Sequence, residues 1–265
     1  MSHDTEIVTE LDQGVMTIGL HRPGALNALT HTMRNQLLET LTYARNAKEI
    51  RCLILTGAGR AFSVGQDVRE MQEMYRNHPP DLGRLVRGEY NPIVDALLNM
   101  PKPVVGLIHG PAAGGGLSLA LACDIRVITD QTSFIPAFVK VGLAPDTGAS
   151  FLLARALGWS RALALSLLGQ SITAEEAMNW GLAHFRFATL EQAEIETRNI
   201  ANNLAQGPTQ AMVEIRQLML QSQALSWPEV LQLEATVQDR LGLTQDHQEA
   251  IAAFLERRTA KFLGQ

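Results

Sequence analysis

Short apolar runs rich in β-branched residues, at Glu6 to Glu10, Val15 to Leu20, Cys52 to Thr56, Val104 to His109 and Ile125 to Thr129, alternate with stretches of helical period. Such alternation predicts an α/β fold. Thr30 to Ala47 shows the pattern: Met33, Leu37, Leu41 and Ala44 recur three or four residues apart as one apolar stripe, with Thr30 as its N-cap. From about Leu190 the strands stop, and Glu191 to Ala205, Thr209 to Ser222, Pro228 to Leu241 and Gln248 to Lys261 all read as helices. An α/β core over residues 1–190 and a helical region over 191–265 are therefore expected. Asn77-His78-Pro79-Pro80-Asp81 interrupts two helical segments with paired prolines and reads as a surface loop with the character of a lid.

At 265 residues, 46% hydrophobic and 18% charged, the chain is long enough for one sizeable core and is not of disordered composition. A formal charge of -5 with no Lys/Arg run argues against nucleic acid or an anionic membrane as the main partner. Cys52 and Cys123 sit in apolar runs and read as core residues, and the scattered histidines lack ligand spacing, so no metal site is expected. Met1-Ser2-His3-Asp4 does not open a signal segment, and no apolar run is long enough to span a bilayer. A cytoplasmic protein is the expectation.

Two glycine-bearing segments carry the chemistry: Arg60-Ala61-Phe62-Ser63-Val64-Gly65-Gln66-Asp67 and His109-Gly110-Pro111-Ala112-Ala113-Gly114-Gly115-Gly116. Each reads as a turn entering a helix, where the first amides lack intrahelical partners and the peptide dipoles favour negative charge. Two such turns can hold an oxyanion. Glycine leaves the backbone open to close approach, either by a ligand or by a neighbouring element packed tightly on it. The spacing of Gly110, Gly114, Gly115 and Gly116 does not fit G-x-G-x-x-G, and no phosphate-loop Lys-Ser/Thr follows, so nucleotide binding is set aside.

Taken with Arg22-Pro23, Asn27-Ala28-Leu29, Pro101-Lys102-Pro103-Val104, Ala122-Cys123-Asp124-Ile125 and the tail Ala253-Phe254-Leu255-Glu256-Arg257-Arg258, these segments resemble the crotonase (enoyl-CoA hydratase/isomerase) superfamily over essentially the whole chain. The resemblance implies a spiral of ββα turns with a C-terminal helical trimerisation region, a homotrimer or a dimer of trimers, and an acyl-CoA thioester as substrate. Coenzyme A is then part of the substrate and no separate cofactor is implied. The positions matching the family's oxyanion amides are Gln66 and Gly115, and those implied for substrate or CoA contact are Arg22, Ala25, Val64, Gln66, Asp67, Val68, Phe138, Phe254 and Arg257. Asp67 is also placed to cap the helix beginning at Val68, and Asp124 reads as structural.

The hydratases of the family flank a water with two glutamates, whose positions here are Ser118 and Phe138. Neither serves as a base at neutral pH: a serine hydroxyl is too weakly acidic and phenylalanine does not titrate. A carboxylate is available at Asp146 in Gly142-Leu143-Ala144-Pro145-Asp146-Thr147-Gly148. It reads either as an N-cap for the helix Phe151 to Leu157 or as a single acid/base that takes a proton from one carbon and returns it to another. Ala137 to Asp146, Pro80-Asp81-Leu82-Gly83 and Leu167-Leu168-Gly169 resemble the ring 1,2-epoxyphenylacetyl-CoA isomerase branch, which carries its aspartate at the Asp146 position and also shifts double bonds from the 3,4 to the 2,3 position of enoyl-CoA. The 4-chlorobenzoyl-CoA dehalogenases also place an aspartate there, but they add a tryptophan where this chain has Phe138 and a histidine near Tyr90-Asn91. The expectation is therefore a cofactor-independent acyl-CoA isomerase. The alternatives are an atypical enoyl-CoA hydratase with Glu89 recruited as base and a non-catalytic acyl-CoA-binding homologue.

Overall fold

The computed structural model describes residues 5–77 and 79–265; Met1 to Asp4, and His78 of the proline-bearing loop, lie outside the described residues. Strands β1 (Ile7–Asp12) and β2 (Val15–Leu20) form a hairpin. Its two-residue turn places both Gln13 and Gly14 at positive φ, the geometry that matches strand twist. Helix α1 (His31–Asn46), β3 (Cys52–Gly57), α2 (Val68–Asn77) and the short α3 (Leu82–Leu85) follow. A π-helical turn, Val86–Tyr90, leads into α4 (Asn91–Leu98) and β4 (Val104–Ile108). Next come β5 (Pro111–Ala113), α5 (Gly115–Ala122), β6 (Ile125–Thr129), β7 (Ser133–Ile135) and a 3₁₀ turn, Ala137–Val141. The core closes with α6 (Ala149–Leu157), α7 (Trp159–Leu168), β8 (Ile172–Thr173), α8 (Ala174–Asn179) and β9 (Phe185–Phe187). The last helices are α9 (Leu190–Ala205), α10 (Thr209–Gln221), α11 (Trp227–Leu241) and α12 (Gln245–Glu256).

The strands make a six-stranded sheet in the order β1-β2-β3-β4-β6-β9 and a three-stranded sheet in the order β5-β7-β8. Beyond the antiparallel hairpin, every pairing in the larger sheet is parallel, giving the crotonase-type ββα repeat. Parallel strands covered on both faces alternate their apolar side chains between two cores. Leu53, Leu55, Val104 and Ile108 face one core with Met33, Leu37, Leu41 and Ala44 of α1. Cys52, Ile54, Val105 and Leu107 face the other, where Ala193, Ala201 and Ala205 of α9 close the sheet. By packing, α9 thus belongs with the α/β core, and the boundary drawn at 190/191 marks only where the strands end. The small side chains of Ala193, Ala201 and Ala205 let this helix sit near the strands.

Five predicted strands appear at or within two residues of their expected positions; β5, β7, β8 and β9, of two or three residues each, were not predicted. Runs this short carry no readable period, and they exist because a neighbouring strand supplies their hydrogen bonds. Thr30 caps α1 as expected, its hydroxyl accepting from Met33 N at 3.0 Å. Helix α12 begins earlier than expected because Thr244 caps it, and it ends at Arg257, which adopts a left-handed φ of 55°. Asp124 has the structural role read for it. Its carboxylate accepts from Val104 N at 2.8 Å and pairs with Arg216 of α10 at 2.6 and 2.7 Å, tying the helical region to the sheet. Among the described residues no helix is long and apolar enough to cross a membrane.

Candidate active site

Both glycine-bearing segments enter helices, as the sequence suggests. The segment after β3 crosses two isolated parallel bridges, Leu29 with Gln66 and Ser63 with Ala112, which pin it between the Leu29 strand segment and β5. In the first bridge Leu29 donates to Gly65 O at 2.7 Å and accepts from Asp67 N at 3.3 Å. The N–H of Gln66 therefore points away from Leu29, since alternate residues of an extended segment face opposite sides. In the second segment Gly114, at φ 50°, turns the chain, and Gly115 supplies the first amide of α5. Among the described residues no main-chain carbonyl accepts from Gln66 N–H or Gly115 N–H.

The two segments touch. A Cβ on Gly65 would lie 2.7 Å from Ala113 O and 2.9 Å from Gly115 N. Gly65 also has a φ of 83°, so both its conformation and its surroundings demand glycine. The glycine-rich pattern has two physical origins. Gly110 and Gly116 are packing positions, where a Cβ would overlap the carbonyls of Arg60 and Ser63, whereas Gly114 has open space around it. Helix α5 starts at Gly115 rather than at the expected Leu117, because Gly115 and Gly116 are held in helical geometry by this packing.

Asp146 follows from the same helix. Ser118, one turn beyond Gly114 in α5 and fully buried, donates its hydroxyl to Asp146 O at 3.4 Å. The N-cap alternative for Asp146 does not hold. Helix α6 is entered through Gly148 at φ 79°, and no side chain caps it. Instead the Asp146 carboxylate accepts from Thr147 Oγ1 at 2.8 Å. Thr147 is buried and held at φ 51°, a region costly for a β-branched residue by about 1–3 kcal/mol. Burial raises the Asp146 pKa above the ordinary carboxylate value, opposed in part by the hydrogen bonds from Thr147 and from its own backbone. Burial of this kind disfavours the charged form of a carboxyl group. The positions that would carry a second carboxylate hold Ser118 and Phe138, both buried.

Behind the two segments lies a polar cluster the sequence did not reveal. Arg34 sits on α1 beside the apolar stripe, and its side chain has no solvent exposure. Its Nη1 donates to Leu29 O at 2.7 Å, Glu70 Oε2 at 3.0 Å, Tyr90 Oη at 3.2 Å and Gln66 Oε1 at 3.3 Å. Its Nε and Nη2 lie 2.9 and 2.8 Å from Glu89 Oε2, which also contacts His31 Nδ1 at 2.9 Å. Although burial works against it, Glu89 is held below the usual carboxylate value by His31 and Arg34. Committed to Arg34 and His31, it is a poor candidate for the recruited base. The Tyr90 hydroxyl donates to Gln66 Oε1, and its ring lies beside Gly115, whose Cβ would be 3.2 Å from Tyr90 Cε1. Burial raises the Tyr90 pKa far above the phenol value, with Arg34 opposing and Glu70 and Asp146 adding to the rise. Asp146 thus acts electrostatically on the residue that touches both segments.

The remaining candidates separate into three groups. Asp67 is an N-cap, accepting from Arg69 N at 2.9 Å and Glu70 N at 3.3 Å, and it pairs with Arg22 at 2.8 Å. Burial raises its pKa, but the bond from Arg22 and those two amides outweigh it and leave a net lowering. Through Nε and Nη1, Arg22 engages Glu6 at 3.0 Å, Asp67, and the Ala28 carbonyl at 2.7 Å, and so braces this segment. Ala25 and Val64 are half-buried and Val68 is exposed. Phe254 of α12 and Arg257, its C-cap, are exposed, and among the described residues no side-chain hydrogen bond or ion pair joins them to this cluster.

Both cysteines are buried and free, with burial pushing each thiol up to about 12, as befits core residues. Met71, Met74, Leu82, Leu85 and Val86 are all half-buried. Among the described residues no group of three or more His, Cys, Asp or Glu is arranged to hold a metal. A cavity of about 490 Å³ bordered by α5 and α10 includes none of Gln66, Gly115 or Asp146, so the site is defined by chemistry rather than by size.

Comparison with known proteins agrees with this arrangement. The chain is 38% identical over 258 residues to the 1,2-epoxyphenylacetyl-CoA isomerase of Escherichia coli K12, covering 97% of this chain and 98% of that one. It is 37% identical over 264 residues to a Rhodobacter capsulatus protein provisionally named enoyl-CoA hydratase, with both chains fully covered. A solved structure from Mycobacterium abscessus, provisionally titled enoyl-CoA hydratase/isomerase, superposes with a TM-score of 0.93 at 38% identity, over 98% of this chain and all of the other. With the family model for enoyl-CoA hydratase/isomerase matching residues 10–265 as well, two glycine turns abutting at Gly65 on a ββα spiral identify the chain as an enzyme belonging to the enoyl-CoA hydratase/isomerase (crotonase) family.

Proposed function

We propose that this enzyme isomerises acyl-CoA thioesters by moving one proton between carbons of the acyl group through an enolate. The N–H groups of Gln66 and Gly115 hold the thioester oxygen as negative charge gathers on it, and Asp146 carries the proton. The observation that supports this best is a carboxyl of raised pKa at Asp146, bonded by Thr147 and with its backbone carbonyl against Ser118 of helix α5, in a chain that has Ser118 and Phe138 where the hydratases of the family have glutamates. One carboxylate suffices for a proton that leaves one carbon and returns to another. Hydration must also position and activate water, for which the hydratases of the family use glutamates where this chain has Ser118 and Phe138. Each preorganised amide contributes about 3–4 kcal/mol to such a transition state.

Ring 1,2-epoxyphenylacetyl-CoA, opening to the oxepin, and 3-enoyl-CoA, moving its double bond to the 2,3 position, are the two substrates proposed. Similarity to the E. coli isomerase supports the first. Ala25, Val64 and Val68 are proposed to border the pantetheine path, with Asp67 and Arg22 bracing it and Phe138 against the acyl group. Phe254 and Arg257, both exposed, would reach the adenosine end of CoA in a homotrimer or dimer of trimers.

Hydration of 2-enoyl-CoA is the second reading, and the names of relatives favour it over isomerisation. Labelled water separates the two: hydration fixes solvent oxygen in the product, whereas isomerisation does not. Asp146→Asn is expected to lower isomerisation by about 10²–10⁴-fold while leaving CoA-ester affinity nearly intact. An unchanged rate in that variant, or solvent oxygen in the main product, refutes the isomerase assignment.

A further inference from the structure

Arg34 and Tyr90 carry an inference that rests on the two-amide reading above and deepens it. Consecutive residues of the π-helical turn, Glu89 and Tyr90, both reach Arg34 of α1. A π turn within a helix is a local departure from regular geometry that recurs at functional sites. Here it delivers a phenol to the junction of the two glycine segments.

We propose that Tyr90, clamped by the buried guanidinium of Arg34, is a positioning residue that sets both oxyanion donors at once. Its hydroxyl donates to the Gln66 side chain, whose Nε2 is tied to Glu70 Oε2 at 2.8 Å, so the Gln66 amide is held at both ends. Its ring backs Gly115, close enough that a Cβ there would meet Cε1 at 3.2 Å. Arg34 completes the frame by donating to Leu29 O at 2.7 Å, the same carbonyl that accepts from Asp67 N beyond Gln66. Gln66 is thereby fixed through its side chain by Tyr90 and through its backbone by the Leu29 rung. The clamp itself makes no contact with the thioester; it acts through the donors' direction.

This arrangement predicts that loss of the Tyr90 hydroxyl slows turnover without weakening ground-state binding. Tyr90→Phe keeps the ring against Gly115 and removes the hydroxyl's bonds to Gln66 and Arg34. The expected result is a fall in kcat of about tenfold with KM changed less than about twofold, since misdirected donors cost the transition state more than the ground state. Gln66→Leu, which retains the backbone N–H but also loses the side-chain bonds to Glu70 and Arg34, should slow turnover at least as much. The double variant should be no slower than the slower single one, because both remove the same bond. Effects that multiply, or a rise in KM at constant kcat, overturn the proposal. If Tyr90→Phe does not fold, Gln66→Leu reads the same bond from its other end.

Infrared spectra of a saturated acyl-CoA with a ¹³C-labelled thioester carbonyl, bound to the Asp146→Asn protein, separate the two levels of the argument. A carbonyl frequency unshifted from that in solution sinks the two-amide reading itself. A shift present in Asp146→Asn and undiminished when Tyr90→Phe is added leaves that reading intact and sinks this one. A shift that shrinks with Tyr90→Phe supports both.

Discussion

Gly65→Ala tests the contact on which the site is built. Its Cβ would lie 2.7 Å from Ala113 O and 2.9 Å from Gly115 N, on a backbone held at φ 83°. Restoring an ordinary contact of 3.4 Å to that carbonyl requires the two segments to part by about 0.7 Å. The conformation alone costs a non-glycine residue about 1–2 kcal/mol, and overpacking adds about 1–3 kcal/mol. At about 2–4 °C per kcal/mol for a domain near this size, the melting temperature should fall by several degrees. Function should suffer more. A misplacement near 1 Å costs on the order of 10² in rate, so kcat should drop by about 10–100-fold in the fraction that remains folded. Thermal unfolding and steady-state kinetics on one acyl-CoA thioester measure both effects. A folded Gly65→Ala protein with kcat within a factor of about two of the parent would falsify the claim that these segments jointly form the oxyanion site.

Three further variants probe separate parts of the structure. Thr147→Ala removes a hydrogen bond that lowers the Asp146 pKa, so the rising limb of kcat/KM against pH should move to higher pH; Thr147→Ser should leave it in place. Arg216→Ala leaves the Asp124 carboxylate without its cation and frees the carbonyls of Met100 and Lys102, and should cost about 3–5 kcal/mol in denaturant unfolding. Gly88→Ala, where a Cβ meets nothing within 4 Å and φ is helical, should stabilise the protein by about 0.4–1 kcal/mol with turnover unchanged.

The sequence alone determined the features that depend on near neighbours. The stripe of α1 with its Thr30 cap, the principal strands, the two glycine turns entering helices, and the lack of titratable groups at Ser118 and Phe138 were all legible there. Each follows from residue type and spacing over a few positions. Tertiary structure decided which glycines turn the chain and which merely pack, that Asp146 answers to Thr147 instead of capping α6, and that Arg22 pairs with Glu6 and Asp67. It also brought Arg34, Tyr90 and Gln66 together from three separate elements, 32 and 56 residues from Arg34 along the chain. A charged residue beside an apolar stripe gives no hint of its partners, because a buried guanidinium is tolerated only where distant segments supply oxygens to receive it. That supply exists only once the spiral has closed.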